Sequence, residues 1–422
     1  MEITDTLPGS KKGWMKIMAS LALLAVGAAA QAQEGSQGNA TVFAGAQATF
    51  FGNHSFVAPS ATPGTLAGII NTERTTSATG TGYGVVNYAA ASLVVTGADD
   101  ANHVDGYVRN LGAGLFVYPV GDNGFYGPFA ATGAGTTGAY FHTDATTAIT
   151  SNLGGGNYPI LPVTGSGLAF PTTSKAATLG TVSTVEYWDI DGAGASKITL
   201  TWDAGSNVTA LTTSTLSRLT IVGWNPATSQ WVKINSAVDP TSVLGGTSDL
   251  SAGSITTKSN LIPNTYTIYT LASAIPDLAP SISINPPQVV GDNKNIDVRI
   301  VVAEVNNVET SGNIFVRIPV STHFTVNAYS SSLTTSVSQA VQNNQWTYLG
   351  ISAGNHLFRY GGTAGVTSIL GFGDSSFGIS ITFSANGQAG RQTLVASVFD
   401  GSGGEKNFLN NNDNEQINYT IN

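Results

Sequence analysis

The chain has 422 residues, of which 50 are Gly and 16 Pro, with 10% charged residues and no Cys. So few charges cannot clothe the solvent face of a helical bundle or coiled coil, and the lack of Cys excludes a disulfide framework. Sixteen basic against 25 acidic residues, a net charge of -9, has the wrong sign for neutralising phosphates, so nucleic acid is not an expected partner. With 41% apolar residues the chain can bury a sizeable core, which argues against disorder. The expectation is an extracytoplasmic all-β protein, rich in Gly, Thr, Ser and Asn, with more than one domain.

The apolar run Ile17 to Ala30 follows Lys11, Lys12 and Lys16 and leads into Ala30-Gln31-Ala32. A basic start, a short apolar stretch and a small-x-small site make a secretory signal peptide, with cleavage expected after Ala32. At about 14 residues the run falls short of the roughly 20 that span a bilayer. Met15-Lys16-Ile17 is the more ordinary start for such a peptide. With no Cys after the run, lipid attachment to an N-terminal Cys is excluded. The processed chain is expected to carry no transmembrane segment and to be secreted, at the cell surface or in the periplasm.

From Ala40 onward, short alternating runs broken by Gly, Asn, Asp and Pro read as half-buried antiparallel strands. Lys197 to Asp203 places Ile198, Leu200 and Trp202 on one face and Thr199, Thr201 and Asp203 on the other. In the last third Ile296, Val298, Ile300 and Val302 alternate with Asp297 and Arg299, and Ile314, Val316 and Ile318 with Phe315 and Arg317. The same period of two recurs in Gln392 to Phe399 and Ile417 to Ile421, as in sandwich strands with one wet face. Only Ser330 to Gln342 carries a helical i, i+4 hint, through Leu333, Val337 and Val341, against its own Ser and Thr content. The stretch Ala274 to Pro280, with Pro276 and Pro280, reads as a stiff connector. It divides a β-rich module, 33–275, from an immunoglobulin-like β-sandwich, 276–422. Asn152 to Tyr158 is a candidate division within the first module, and no repeat of fixed period is present.

Two stretches carry family resemblances. His103 to Pro128, with Val104, Gly106, Val108, Arg109, Phe116, Pro119, Val120, Gly121, Asp122, Gly124, Tyr126 and Pro128 in matching positions, resembles a segment of secreted surface proteins of Bacteroidetes-type bacteria. Thr184 to Ala204, Leu219 to Val232 and Ile268 to Ser273 look like later strands of the same module, which implies a surface or adhesion-type role without established chemistry. Proteins with that module often close with a type IX secretion sorting domain. Here Asn422 follows directly on the strand 417–421, so residence in the periplasm, or another route to the surface, is the expectation. Pro276-Asp277-Leu278, Gly291, Glu304-Val305-Asn306 and the Glu405 and Asn410 to Asn412 region are similar to immunoglobulin-like bacterial adhesion-related domains. The two closely spaced acids which that family places before its Asn pair are missing, and no ligand role is carried over.

The chemistry-bearing motifs are incomplete. Neither a Gly-x-Ser-x-Gly elbow nor a His-Glu-x-x-His helix occurs, and the five His are scattered without metal-ligand spacing. Gly373-Asp374-Ser375 echoes a protease nucleophile loop but reads as a turn before a strand. Paired acids of the kind glycoside hydrolysis needs are candidates at Asp99-Asp100 with Asp105, at Asp189 with Asp191, and at Asp413 with Glu415. Asp189 and Asp191, followed by Gly192, have the opening spacing of a calcium loop but lack its later ligands, so a turn between strands competes with a calcium site. Of Trp188, Trp202, Trp224 and Trp231, the last, in a hairpin, is the best candidate for an exposed face that stacks on a glycan. No catalytic residue, cofactor or bound metal is implied. The reading is a non-enzymatic structural or adhesion-type protein whose partners are other envelope or surface components, including polysaccharide. The alternatives are a carbohydrate-binding protein, and a fibre subunit that self-associates by strand addition through residues 33–49 or 417–421.

Overall fold

The computed structural model describes residues 34–56, 68–73, 83–146 and 170–421. The signal peptide and Asn152 to Tyr158 lie outside them. Among the described residues the only α-helix is Val208–Leu211, and the protein is all-β. No described helix is long and apolar enough to cross a membrane.

The chain begins with parallel, not antiparallel, pairing. Glu34–Ser36, His54–Phe56 and Val95–Thr96 stack in register in one sheet. Ala40–Val42, Ile70–Thr72, Val104–Asp105 and Val120–Asp122 stack in a second, and Gln47–Phe50, Val85–Tyr88 and Val108–Asn110 in a third. Every third strand therefore returns to the same side, which is a three-sided β-solenoid of three coils. The coils differ in length: Glu34 pairs with His54, but His54 with Val95. No fixed period exists for a sequence to display. The interior carries stacked rings, with Phe50 on His54 at 3.9 Å and Tyr88 against Phe116 at 4.9 Å. Burial lowers the His54 pKa to about 4, so its imidazole is neutral, bonded to Ser36 Oγ at 2.8 Å and Tyr88 Oη at 2.7 Å.

The third solenoid side runs on into a nine-stranded sheet. Val108–Asn110 pairs in parallel with Val85–Tyr88 on one edge and antiparallel with Thr137–Phe141 on the other. Tyr187–Asp191, Tyr269–Ala274, Leu219–Asn225 and Gln230–Ile234 follow, all antiparallel. A five-stranded antiparallel sheet, ordered Phe116–Tyr118, Phe129–Ala131, Ile198–Trp202, Gly253–Thr257 and Ser236–Val238, shares with it the core of Trp188, Ile190, Leu200 and Leu271. The opposite face holds a second core, with Phe141, Tyr187, Trp224 and Trp231. A sheet covered on both faces loses the polar alternation expected of it. In the five-stranded sheet Thr199 and Thr201 are buried as well, and Thr201 Oγ1 donates to the Pro128 carbonyl at 2.5 Å.

Beyond Ala274 the chain enters other sheets around a separate core. One is ordered Leu278–Asn285, Lys294–Glu304, Asp374–Phe383 and Phe324–Val326, the other Gln288–Val290, Asn412–Thr420, Gly390–Val398, Phe315–Pro319, Asn355–Tyr360 and Trp346–Ser352. They close as a sandwich over Val298, Ile300, Val316, Phe358 and Phe377. Here the alternating residues sit as their period requires, with Ile296 to Val302 and Ile314 to Ile318 buried at every second position. The helical hint at Ser330 to Gln342 is overturned. Thr335–Ser336 and Gln339–Ala340 form a hairpin whose turn residues Val337 and Ser338 have φ of 49° and 57°, and Leu333 stays exposed because no apolar stripe exists to bury.

Gly127 packs without a side chain where the ring of Tyr140 crosses it; an added Cβ would lie 2.2 Å from Tyr140 Cε2. Its carbonyl accepts the Trp188 indole N–H at 2.8 Å. Gly127→Ala should therefore destabilise the first module by about 1–3 kcal/mol, measured by denaturant unfolding followed through Trp fluorescence.

Candidate functional site

Polar chemistry gathers in three places. The most buried is a relay on the nine-stranded sheet, where the register Phe141 to Tyr187 brings Tyr140 beside the residue preceding Tyr187. Tyr140 Oη donates to Glu186 Oε2 at 2.8 Å and lies 2.9 Å from His142 Nδ1. His142 stacks on Phe125 at 3.6 Å, and its backbone N–H donates to Asp122 Oδ2 at 2.9 Å. Burial is the main force on these groups. It pushes the Glu186 carboxyl up to about 7 against the hydrogen bonds of Ser206 and Tyr140, lowers His142, and holds the Tyr140 phenol far above its usual range with help from the Glu186 charge. The chain of groups could pass a proton, and Glu186 and Tyr140 are 3% and 2% exposed.

The second place is where the sheets ending at Ala274 meet those beginning at Leu278. Glu304 Oε1 accepts the N–H groups of Asp277 at 3.2 Å and Asn306 at 2.9 Å, and its Oε2 those of Val308 at 3.1 Å and Phe372 at 2.9 Å. Asn306 Nδ2 donates to the carbonyls of Ile275 at 2.7 Å and Thr178 at 3.1 Å. The Lys233 amine donates to Asn306 Oδ1 at 2.8 Å and to its carbonyl. Arg218 donates to Ser311 Oγ at 3.0 Å. Behind them Glu405 Oε2 accepts from Leu278 N at 3.0 Å and its Oε1 from Asn411 Nδ2 at 2.7 Å; burial raises this carboxyl to about 7. Asp277 accepts from Asn407 and Asn410. The Pro276-Asp277-Leu278 entry and the 405–411 loop thus form one clasp. A cleft of about 300 Å³ beside it is lined from one module by Thr220, Lys233 and Ser236 and from the other by Val308, Glu309 and Leu370.

The third is a pair of surface grooves that share Leu115 and Val243. One, of about 440 Å³, is lined by Leu93, Val94, Phe116 and Tyr126, and the other, of about 520 Å³, by Thr132, Lys197, Asp239 and Thr256.

The residues singled out by sequence fall elsewhere. Trp231 is fully buried, which corrects the expectation of an exposed, glycan-stacking ring. The strand Gln230–Ile234 is flanked by an added segment, with Trp231 N donating to the Ser174 carbonyl and Ala176 N to that of Trp231, both at 2.9 Å. Its ring meets Trp224 edge-on at 5.6 Å. Trp188, Trp202 and Trp224 are core residues too. Asp189 points into the sheet interior, where Tyr107 Oη donates to its Oδ2 at 2.6 Å. Asp191, at the strand end, has its carboxyl raised to about 6 by burial. Among the described residues no cluster of three or more His, Cys, Asp or Glu could hold a metal ion, so no third acid joins this pair. Ser375 is buried, donating to Gln345 Oε1 at 2.6 Å and accepting from Trp346 Nε1 at 2.9 Å, as a core hydroxyl does. Asp413 Oδ2 accepts the Ile282 N–H at 2.8 Å. The sequence reading assigned no role to Glu186, and named Glu304 only within a family resemblance, without its part as an acceptor of four N–H groups. The signal for Glu304 was its place on the buried parity of Ile296 to Val302.

No family model matches the chain, and no curated protein resembles it in sequence. Among solved structures, the CARDB domain of a Pyrococcus furiosus protein in complex with di-metal ions is similar at 16% identity and a TM-score of 0.22, over 35% of this chain and 90% of that one. A cohesin–dockerin complex from Clostridium thermocellum is similar at 9% identity and a TM-score of 0.20, over 35% and 91%.

Because the folded Glu186 carboxyl binds its proton more tightly than the ordinary value of 4.5, its contribution is complete below pH 4.5 and fades as pH rises through 7. Glu186→Gln should remove that fading, gaining roughly 1–3 kcal/mol over the native chain between pH 5 and pH 8. Melting temperatures across that range would show it, and parallel profiles would refute it.

Proposed function

We propose that this is an exported, non-enzymatic structural protein of the cell envelope or surface, an adhesion-type arm of two β modules, 33–275 and 276–422, held at a stiff joint. The observation that carries this reading is the clasp at Glu304 and Asn306. One carboxylate gathers four backbone N–H groups, and one amide ties the neighbouring module's chain to it. Such a network fixes how two modules meet and offers a reacting substrate nothing. Its partners are other envelope components. The solvent-facing polar groups are chiefly Thr, Ser and Asn, suited to surface contacts made by hydrogen bonds without strong charge.

Two measurements test this. Asn306→Ala, which removes the amide bonded to the Ile275 and Thr178 carbonyls, should leave both modules folded while small-angle scattering broadens to a range of inter-module distances; an unchanged profile would remove the stiff-joint element. The native protein should hydrolyse no member of a broad glycan and peptide panel, and turnover of any one would overturn the non-enzymatic reading.

Glycan capture is a second reading, favoured by the two grooves that meet at Leu115 and Val243. A glycan array should then give binding that Leu115→Asp abolishes, and a silent array would dismiss it.

A further inference from the structure

The first coil of the solenoid ends three sheets at once. Glu34–Ser36, Ala40–Val42 and Gln47–Phe50 are each the terminal strand of their sheet among the described residues. Backbone groups alternate in direction along a strand, so the observed bonds tell which ones face away from the second coil. Ala40 N donates to the Ile69 carbonyl and Glu73 N to that of Val42, which leaves the N–H and C=O of Thr41 on the open side. Val85 N donates to the Ala46 carbonyl and Ala89 N to that of Phe50, which leaves those of Gln47 and Thr49. Glu34 N donates to the Asn53 carbonyl, which leaves those of Gly35.

Natural edges are commonly guarded by Lys, Pro or inward charges. This one carries none. Between residues 34 and 56 the only acidic or basic side chains are Glu34 and His54; Glu34 accepts the Phe51 N–H at 3.3 Å, and His54 is buried in the interior. Phe43 and Phe51, each directly following an edge strand, are 65% and 75% exposed. Phe50 and Ala48 leave the core's end layer only partly covered.

We infer that a second copy of this chain caps this end, coil against coil, about a two-fold axis. Three edges arranged around one core can be completed together only by another coil, which is why a single extended peptide is a poorer match. A half-turn about an axis in the plane of the coil reverses the sense in which the strands run, so the two coils meet antiparallel, the favourable pairing for edges. The far end offers no equivalent surface: of its three strands only Val95–Thr96 stays terminal among the described residues, while Val104–Asp105 is continued by Val120–Asp122 and Val108–Asn110 by Thr137–Phe141. Stacking therefore stops at two chains and builds no filament.

Analytical ultracentrifugation of the purified chain should show a reversible dimer. Thr41→Pro, which removes an outward N–H without touching a bond to the second coil, and Thr49→Pro, which also removes the Oγ1 that accepts from Asn87 Nδ2 of that coil at 3.2 Å, should each weaken it about tenfold or more, since each change counts twice across a two-fold axis. Thr41→Lys, at an exposed side chain, should do the same by restoring an edge guard. Amide exchange at Thr41 and Thr49 should slow as concentration rises. A monomer at every soluble concentration, a dimer indifferent to all three substitutions, or open-ended polymers would each overturn the inference. Native-like circular dichroism of Thr41→Lys separates loss of pairing from loss of fold.

Discussion

Everything in the first module depends on one strand that serves two kinds of sheet. Val108–Asn110 takes parallel partners on one edge and antiparallel partners on the other, so a solenoid and a sandwich share a single hydrogen-bonded surface. Rings continue the connection through the interior, from Tyr88 to Phe116, Tyr118 and Phe129, with centroids 4.9, 5.0 and 4.2 Å apart. Parallel pairing demands long returns and burial of both faces. The coils supply the returns, and the five-stranded sheet and the Phe141–Trp231 core supply the cover.

That double cover explains what a period-of-two reading could and could not find. In the second module each sheet has one face to water, and Ile296 to Val302 and Ile314 to Ile318 announce their burial by parity alone. In the first, Thr199 and Thr201 look like a wet face but are buried, Thr201 against the Pro128 carbonyl and Thr199 against Thr256 at the floor of a surface groove. The solenoid strands are only two to four residues long, too short for periodicity, and their unequal coils hide the repeat. Trp231 illustrates the same limit. Its hairpin was legible, but the segment near Ser174 that encloses it is distant in sequence and carries no local mark.

The acids tell a related story. Reading for paired carboxylates led to Asp189 and Asp191, whereas the acids that organise the molecule act singly. Glu186 and Glu304 each sit in apolar context, where a lone carboxylate is costly unless donors meet it. Such an acid on the buried parity of a strand is a sequence signal for a structural cap, and at Glu304 it marks the joint as clearly as the prolines before it.

The clasp of Glu304, Glu405, Asp277 and Asn411 also decides which surroundings the joint can withstand. It is built from carboxylates, amides and backbone N–H groups, in a chain without Cys. Thiol reductants therefore leave its bonds intact, and whether the milieu is oxidising is immaterial to it. What reaches it is a rise in pH, because burial raises the Glu405 carboxyl to about 7 and its contribution fades as it loses its proton above that. A protein held this way meets changing redox conditions without altering how the sheets before Ala274 are joined to those after Leu278.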